Sequence, residues 1–141
     1  KINIYNQKMK IGYKKEISFS FNQKQVIQFS DITKDKNPLH LDNNYASGTI
    51  FKKKILPGYL SASIFSRIFG TIFPGEGSIY LEQSLRFKKP MYVDIKYYAK
   101  IIVLDIDEIK NIFVIKTEIF EKKTDIITIE GKAKVMNLNI L

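Results

Sequence analysis

Apolar and polar residues alternate along much of the chain in the pattern of half-buried β-strands. The alternation of Ile17, Phe19 and Phe21 with polar neighbours predicts a strand over Glu16 to Phe21. Turns or a proline-containing break separate the strands that the pattern predicts in the second half, which are Ser78 to Phe87, Asp94 to Ile106, Asn111 to Glu121 and Ile126 to Leu138. Because long strands follow one another through short connections, we expect an antiparallel sheet.

Helical spacing of apolar residues appears between the first strand and the later ones. Asn22 is a suitable N-cap for a helix over Gln23 to Ile32, and a short helical piece is expected near Asp42 to Ala46. The segment Tyr59 to Phe73 carries two neighbouring apolar stripes, which are Leu60, Ile64, Ile68 and Ile72, and Phe65, Phe69 and Phe73. A helix that is apolar around most of its circumference is buried. The whole pattern predicts an α+β fold, with an antiparallel sheet wrapped around one buried helix.

Length and composition narrow the class of protein. A chain of 141 residues suits one domain with one core, so we expect a single domain over residues 1–141. The absence of cysteine excludes disulfides, a thiolate nucleophile and cysteine metal ligands, and it fits a cytoplasmic location. No run of about 18 apolar residues occurs, so no membrane association is expected. The first residues, Lys1 to Lys10, are too polar for a signal peptide.

The net charge of +9 comes almost entirely from lysine, since only Arg67 and Arg86 are arginines. One interpretation is an anionic partner, such as nucleic acid, an acidic carrier protein or a phosphate-bearing cofactor. The other is a solvated basic surface in a lysine-rich protein. Nucleic-acid-binding proteins tend to gather arginine and aromatic residues on one stripe, whereas these lysines are scattered. We therefore expect no nucleic-acid partner.

Candidate chemistry lies in the loop after the first helix. His40 is the only histidine, and Asp35 lies five residues before it in a segment bent by Pro38. An Asp and a His that converge on one water can divide general-acid and general-base roles. A lone histidine does not make a zinc site, so no metal is expected. Asp and Asn before proline are also common in ordinary turns, which is the alternative interpretation of this segment.

The residues around this pair resemble the hydratase motif of the MaoC-like (R)-specific enoyl-CoA hydratases. The motif is Asp35-Lys36-Asn37-Pro38-Leu39-His40-Leu41-Asp42, and the likeness continues in the same order through Tyr45-Ala46, Pro57-Gly58-Tyr59-Leu60-Ser61-Ala62-Ser63, the segment Gly75 to Phe87, Pro90 and Val93. The short-chain hydratases that feed polyhydroxyalkanoate synthesis are the most similar members.

This resemblance implies a hotdog fold, a homodimer and a role in fatty acid metabolism, with an acyl-CoA thioester as the substrate. Asp35 and His40 would hold one water, direct it to C3 and deliver a proton to C2, giving the (3R)-hydroxyacyl-CoA. Asn37 and Ser63 would orient this pair. Coenzyme A would be part of the substrate, and no separate cofactor is implied.

Gly58 is the expected oxyanion donor. It starts the buried helix, where backbone N–H groups lack intrahelical partners and the helix dipole favours an anion. Glycine also has no Cβ to obstruct a substrate carbonyl. A simple tight turn after Pro57 is the alternative interpretation. Family members commonly have histidine at the position of Pro57, so this departure is expected to change the loop and the substrate preference rather than abolish activity.

Several alternatives remain open at the level of sequence. An acyl-carrier-protein dehydratase or hydratase would suit the basic surface, a thioesterase would use the same fold, and a non-catalytic module would bind thioesters without turning them over. Lys52-Lys53-Lys54 would meet the coenzyme A phosphates or form a solvated loop. Arg67, in a buried helix, is expected to need an ion-pair partner.

Overall fold

A computed structural model describes residues 10–139, so the segment considered for a signal peptide lies almost entirely outside the described residues. Six strands and four α-helices are present in this part of the chain. The strands are β1 (Lys14–Phe19), β2 (Ser78–Gln83), β3 (Arg86–Phe87), β4 (Tyr97–Asp107), β5 (Ile112–Glu121) and β6 (Ile127–Asn137). The helices are α1 (Gln23–Thr33), α2 (Pro38–Leu41), α3 (Asn43–Ser47) and α4 (Gly58–Arg67), the last followed by a π-helical turn, Ile68–Ile72.

The strands form one antiparallel sheet in the order β1-β4-β5-β6-β2, and β3 also pairs with β6. The inward-facing residues of β4, β5 and β6 share one hydrophobic cluster with the helix α4 and its π-helical extension. The antiparallel sheet and the central helix predicted from the sequence are confirmed. No helix within residues 10–139 has the length and apolar character needed to cross a bilayer.

The helix α4 buries one face and exposes the other. Both predicted apolar stripes are buried, with Ile72 partly so, whereas Ser63, Ser66 and Arg67 are exposed. The expectation that Arg67 needs an ion-pair partner is therefore wrong, because its charge remains in water. The helix also changes type after Arg67: the Phe73 N–H donates to Ile68 O, five residues back, as in a π-helix.

The strand β1 spans Lys14–Phe19 rather than the predicted Glu16 to Phe21, and two other predicted strands differ from the observed ones for local reasons. The strand expected over Ser78 to Phe87 divides into β2 and β3, because Ser84 crosses close over β6. The Ser84 N–H donates to Lys132 O at 2.8 Å, and the Lys132 N–H donates to Ser84 Oγ at 2.9 Å. The strand β4 begins at Tyr97 rather than Asp94, because Asp94 has a φ of 59°, outside the β region.

Gly131 makes the crossing of Ser84 over β6 possible. A Cβ added to Gly131 would lie 1.8 Å from Ser84 O, a backbone atom that cannot move without displacing the β2–β3 connection. This connection leads directly into Phe87 and the residues that follow it. The close approach therefore fixes where that segment lies.

We predict that Gly131→Ala lowers the free energy of unfolding by about 1–3 kcal/mol, the usual cost of overpacking. Urea denaturation followed by circular dichroism measures this loss. Gly70→Ala is the matched control, since a Cβ there meets nothing within 4 Å, and it should leave stability unchanged or higher. Equal stabilities for wild type and Gly131→Ala would contradict the steric account.

Candidate active site

The loop that carries Asp35 is tied to the end of α1. Asn22 caps the start of this helix, and Lys34 ends it with a φ of 64°, in the left-handed region. The Ser30 hydroxyl donates to Asp35 O at 2.5 Å, and the Asp35 N–H donates to Thr33 Oγ1 at 3.2 Å. The backbone of Asp35 is therefore held on both sides, and its side chain is exposed.

Asp35 and Asn37 build the short helix that presents His40. The Asn37 N–H donates to Asp35 Oδ1 at 3.0 Å, and Asn37 Oδ1 accepts from the Leu39 N–H at 3.1 Å. Pro38 occupies the first helical turn, where its missing N–H costs nothing. The turn chemistry anticipated for this segment is thus present. Within residues 10–139, Asp35 Oδ2 accepts no protein hydrogen bond, so this oxygen is free to bind a water.

His40 is fixed through both its ring and its backbone. Its Nδ1 lies 2.8 Å from Ile55 O. A carbonyl oxygen only accepts hydrogen bonds, so Nδ1 carries the proton and, in the neutral imidazole, Nε2 carries the lone pair. Gln23 Nε2 donates to His40 O at 3.0 Å. The ring is therefore held in the tautomer in which Nε2 can accept a proton.

The N-terminus of α4 has no side-chain cap, unlike those of α1, α2 and α3. Pro57 occupies the N-cap position and has no side chain that could accept a hydrogen bond, while its carbonyl accepts from the Ser61 N–H at 3.2 Å. Within the described part of the chain, the N–H groups of Gly58, Tyr59 and Leu60 have no acceptor. Free N–H groups at the positive end of a helix dipole form a favourable site for an anion.

His40 and Gly58 line the same cavity, which has a volume of about 510 Å³. This volume is within the usual range for small-molecule sites. The other lining residues are Phe51, Ile55, Leu56, Tyr59, Ser61, Phe87, Lys88, Lys89, Pro90, Met91 and Ile129. The buried members are mostly apolar, whereas Lys88 and Lys89 are exposed and lie at the rim.

One wall of the cavity is held from behind by Tyr97. Met91 O accepts from the Leu56 N–H at 2.8 Å, and the Tyr97 hydroxyl accepts from the Tyr92 N–H at 2.9 Å. Burial raises the pKa of this hydroxyl above its ordinary value. Tyr97 therefore remains neutral over the whole physiological range.

The structure does not bring every predicted site residue into this cavity. Asp35 and Asn37 lie on the loop and turn leading to His40 and do not line the cavity, and Ser63 is exposed on α4 with its hydroxyl donating to Leu60 O at 2.5 Å. The roles of these three residues stay predictions. Lys52 to Lys54 do not line it either, and Lys53 Nζ lies 4.1 Å from the centre of the Tyr92 ring.

Two contacts at the site carried no signal in the sequence. Gln23 holds the backbone of His40 from another helix, 17 residues away. Phe87 covers Gly58, since a Cβ on Gly58 would lie 2.6 Å from Phe87 Cε1. The space left by the missing Cβ is therefore filled by this ring. The role of Gly58 as oxyanion donor, which depends on its N–H, stays a prediction.

Within residues 10–139, no group of three or more His, Cys, Asp or Glu residues is placed to hold a metal ion.

We predict that the Nδ1 tautomer of His40 dominates in the neutral imidazole. Because His40 is the only histidine, a ¹⁵N–¹H correlation spectrum of the ring reports on it without assignment ambiguity. The Nδ1 shift should be of the protonated type and the Nε2 shift of the unprotonated type. The urea-unfolded protein provides the reference for a free imidazole. A protonated Nε2 in the folded protein would contradict the hydrogen bond to Ile55 O.

Comparisons with known proteins agree with this geometry. Residues 5–124 match the family described as MaoC like domain. The chain is 41% identical over 114 residues to the (R)-specific enoyl-CoA hydratase of Aeromonas caviae, covering 81% of this chain and 85% of that protein. It is 36% identical over 129 residues to a mitochondrial 3-hydroxyacyl-[acyl-carrier-protein] dehydratase of Solanum lycopersicum, covering 91% of this chain and 77% of the relative.

The fold is also shared with solved structures. An (R)-hydratase from A. caviae involved in PHA biosynthesis matches with a TM-score of 0.88 and 38% identity, covering 93% of this chain and 98% of that one. The R-hydratase PhaJ1 from Pseudomonas aeruginosa matches with a TM-score of 0.85 and 32% identity, covering 94% of this chain and 84% of that one. The hotdog fold expected from the resemblance is confirmed. The chain belongs to the MaoC-like domain family.

Proposed function

We propose that this protein is an (R)-specific enoyl-CoA hydratase. It adds water reversibly and syn across the double bond of a trans-2-enoyl-CoA and gives the (3R)-hydroxyacyl-CoA. The observation that carries the proposal is the shared cavity of His40 and the uncapped helix start at Gly58. The similarity of the chain to the (R)-specific enoyl-CoA hydratases of A. caviae and Rhodospirillum rubrum supports the same reaction.

His40 serves as the base in this proposal, and Asp35, whose exposed carboxylate does not line the cavity in this structure, orients the water when the substrate is bound. Nε2 of His40 takes one proton as the water oxygen bonds to C3, and the free Oδ2 of Asp35 accepts the other O–H of the same water. The resulting imidazolium returns its proton to C2. Because the oxygen and the proton reach the double bond from the same side, the addition is syn.

The Gly58 N–H stabilises the negative charge that develops during the addition. Attack at C3 moves an electron pair onto the thioester oxygen, and a donor already aimed at that position lowers the barrier without reorganising. The N–H groups at the start of α4 meet this requirement because no side chain caps them. Pro57 is compatible with this role, since a proline at the N-cap leaves these groups free.

The remaining cavity surface suits the rest of an acyl-CoA. Leu56, Met91 and Ile129 offer an apolar wall to the acyl chain. Lys88 and Lys89 at the rim offer positive charge to the coenzyme A phosphates.

The reaction as proposed needs no cofactor or metal, because coenzyme A is part of the substrate. The cytoplasmic location stays a prediction.

We predict that wild-type protein consumes the enoyl absorbance of crotonyl-CoA, and that Asp35→Asn and His40→Ala each lower kcat/KM by about 10²–10⁴-fold, the usual contribution of a positioned acid or base. Initial rates at saturating and subsaturating crotonyl-CoA give both constants. Asp125→Asn is the matched control, because Asp125 is exposed in the β5–β6 turn and asparagine also tolerates its φ of 57°.

Related measurements distinguish the hydratase from the other candidate functions. A carrier-protein dehydratase is favoured by the similarity to the mitochondrial enzymes and by the lysines at the rim, and it would act faster on crotonyl-acyl-carrier-protein than on crotonyl-CoA. A thioesterase would release free thiol. Binding of enoyl-CoA without turnover of either thioester would indicate a non-catalytic module and contradict the proposal.

We further propose that the protein forms a homodimer through β2. The two sheet edges differ: the outer edge of β1 begins with exposed Lys14, Lys15 and Glu16, whereas β2 exposes Ile79, Tyr80 and Leu81. Natural proteins protect free sheet edges with charges, and an apolar unpaired edge invites a second strand. Pairing of two β2 strands would cover this edge in both copies.

We predict that size-exclusion chromatography with light scattering shows a dimer. Leu81→Lys should shift the protein toward monomer, because each copy would bring a positive charge to the apolar β2 edge. Ile109→Lys is the control, since Ile109 is almost fully exposed in the β4–β5 turn, which joins two strands that do not pair with β2. A wild-type monomer, or dimers of equal stability in all three proteins, would argue against pairing through β2.

A further inference from the structure

Ser61 has a buried hydroxyl with no protein partner. The residue is 1% exposed, and its Oγ forms no hydrogen bond within the described residues. Buried polar groups are nearly always paired, because losing water without gaining a partner costs free energy. Ser61 lines the cavity that contains His40 and Gly58. The missing partner can therefore come from a molecule in that cavity.

Among the hydroxyl side chains of α4 and its π-helical extension, only that of Ser61 is buried. The Ser63 hydroxyl donates to Leu60 O, and the Thr71 hydroxyl donates to Arg67 O, the usual back-bonding of Ser and Thr in helices. The Ser61 hydroxyl makes no such bond, and only its N–H reaches the Pro57 carbonyl. Its donor capacity remains available.

The position of Ser61 in α4 brings its hydroxyl near the oxyanion site. Residues three apart lie on the same helix face, so Ser61 and Gly58 are neighbours. Side chains in a helix lean toward its N-terminus, so the Ser61 hydroxyl covers the first turn. None of the side chains that line this cavity, His40 and Tyr59 included, forms a hydrogen bond with the Ser61 hydroxyl.

We propose that the Ser61 hydroxyl is a second oxyanion donor, which binds the thioester oxygen together with the Gly58 N–H. This inference rests on the proposed hydratase function. At the reacting end of an enoyl thioester, the carbonyl oxygen is the only strong hydrogen-bond acceptor, so it is the atom that satisfies a buried hydroxyl. As water adds to C3, negative charge grows on this oxygen and the bond strengthens. Ser61 is then a catalytic residue.

The kinetic test compares Ser61→Ala, Ser61→Thr and the wild type on crotonyl-CoA. Removal of a single oxyanion donor lowers kcat by about 10²-fold, and we expect this loss for Ser61→Ala with little change in KM. Ser61→Thr retains the hydroxyl and should recover much of kcat. Ser18→Ala, an exposed serine on β1, should match the wild type. Circular dichroism and thermal unfolding verify that each variant is folded.

A spectroscopic test reports on the same hydrogen bond without turnover. Butyryl-CoA has the same thioester but no double bond, so it binds without being hydrated. With a ¹³C label at the carbonyl, its stretching frequency in the infrared difference spectrum falls as donors bind the oxygen. We expect a clear downward shift in wild type and Ser18→Ala, and a smaller shift in Ser61→Ala.

The outcomes separate this inference from the function on which it rests. If Ser61→Ala keeps both the wild-type kcat and the wild-type carbonyl frequency, the hydroxyl does not contact the thioester and the inference is wrong. A lower kcat with an unchanged carbonyl frequency would also overturn it, since the effect would then be structural. If the wild type hydrates no enoyl-CoA but the frequency shift still depends on Ser61, the donor assignment holds and the hydratase proposal fails.

Discussion

The packing of α4 against the sheet is the constraint on which the rest of the structure depends. Its apolar face continues into the π-helical turn, and Phe65 and Ile68 on this face are fully buried in the core shared with β4, β5 and β6. A helix held so firmly along its length has its first turn fixed as well. The backbone donors at Gly58 therefore have a defined position. His40 reaches the same cavity from a short helix, and the hydrogen bond between its ring and Ile55 O fixes its orientation. The chemistry requires rigid donors, and the core supplies the rigidity.

The parts of the site that the sequence predicted are those encoded by local pattern. Asp35 and Asn37 act through hydrogen bonds two residues along the chain, so their spacing alone indicates the turn before His40. The fold was predictable because strand alternation and a helix with two adjacent apolar stripes leave few arrangements. Gln23 and Phe87 were missed because their contacts with His40 and Gly58 join distant segments. No spacing rule in a single sequence encodes such a meeting.

Differences between predicted and observed elements also have local causes that a hydrophobic pattern does not contain. The strand expected over Ser78 to Phe87 has a continuous alternation, yet the backbone crossing at Gly131 interrupts it. Arg67 lies in a segment that is apolar on average, yet it is on the exposed face of the helix and its side chain is in solvent. A hydrophobic pattern describes the average character of a segment, whereas the strand break and the exposure of Arg67 depend on where individual residues point. Whether a segment is a helix or a strand was therefore predicted better than the residues at which it begins and ends.

The contact between Gly58 and the Phe87 ring makes these two positions interdependent. A side chain at position 58 must displace the ring, whereas a smaller residue at position 87 leaves the glycine undisturbed. A change to a smaller residue at position 87 removes this contact, and position 58 then accepts alanine without any movement of the ring. Designs that reshape the cavity at the helix start can therefore use a substitution on β3 to make room for a side chain at position 58.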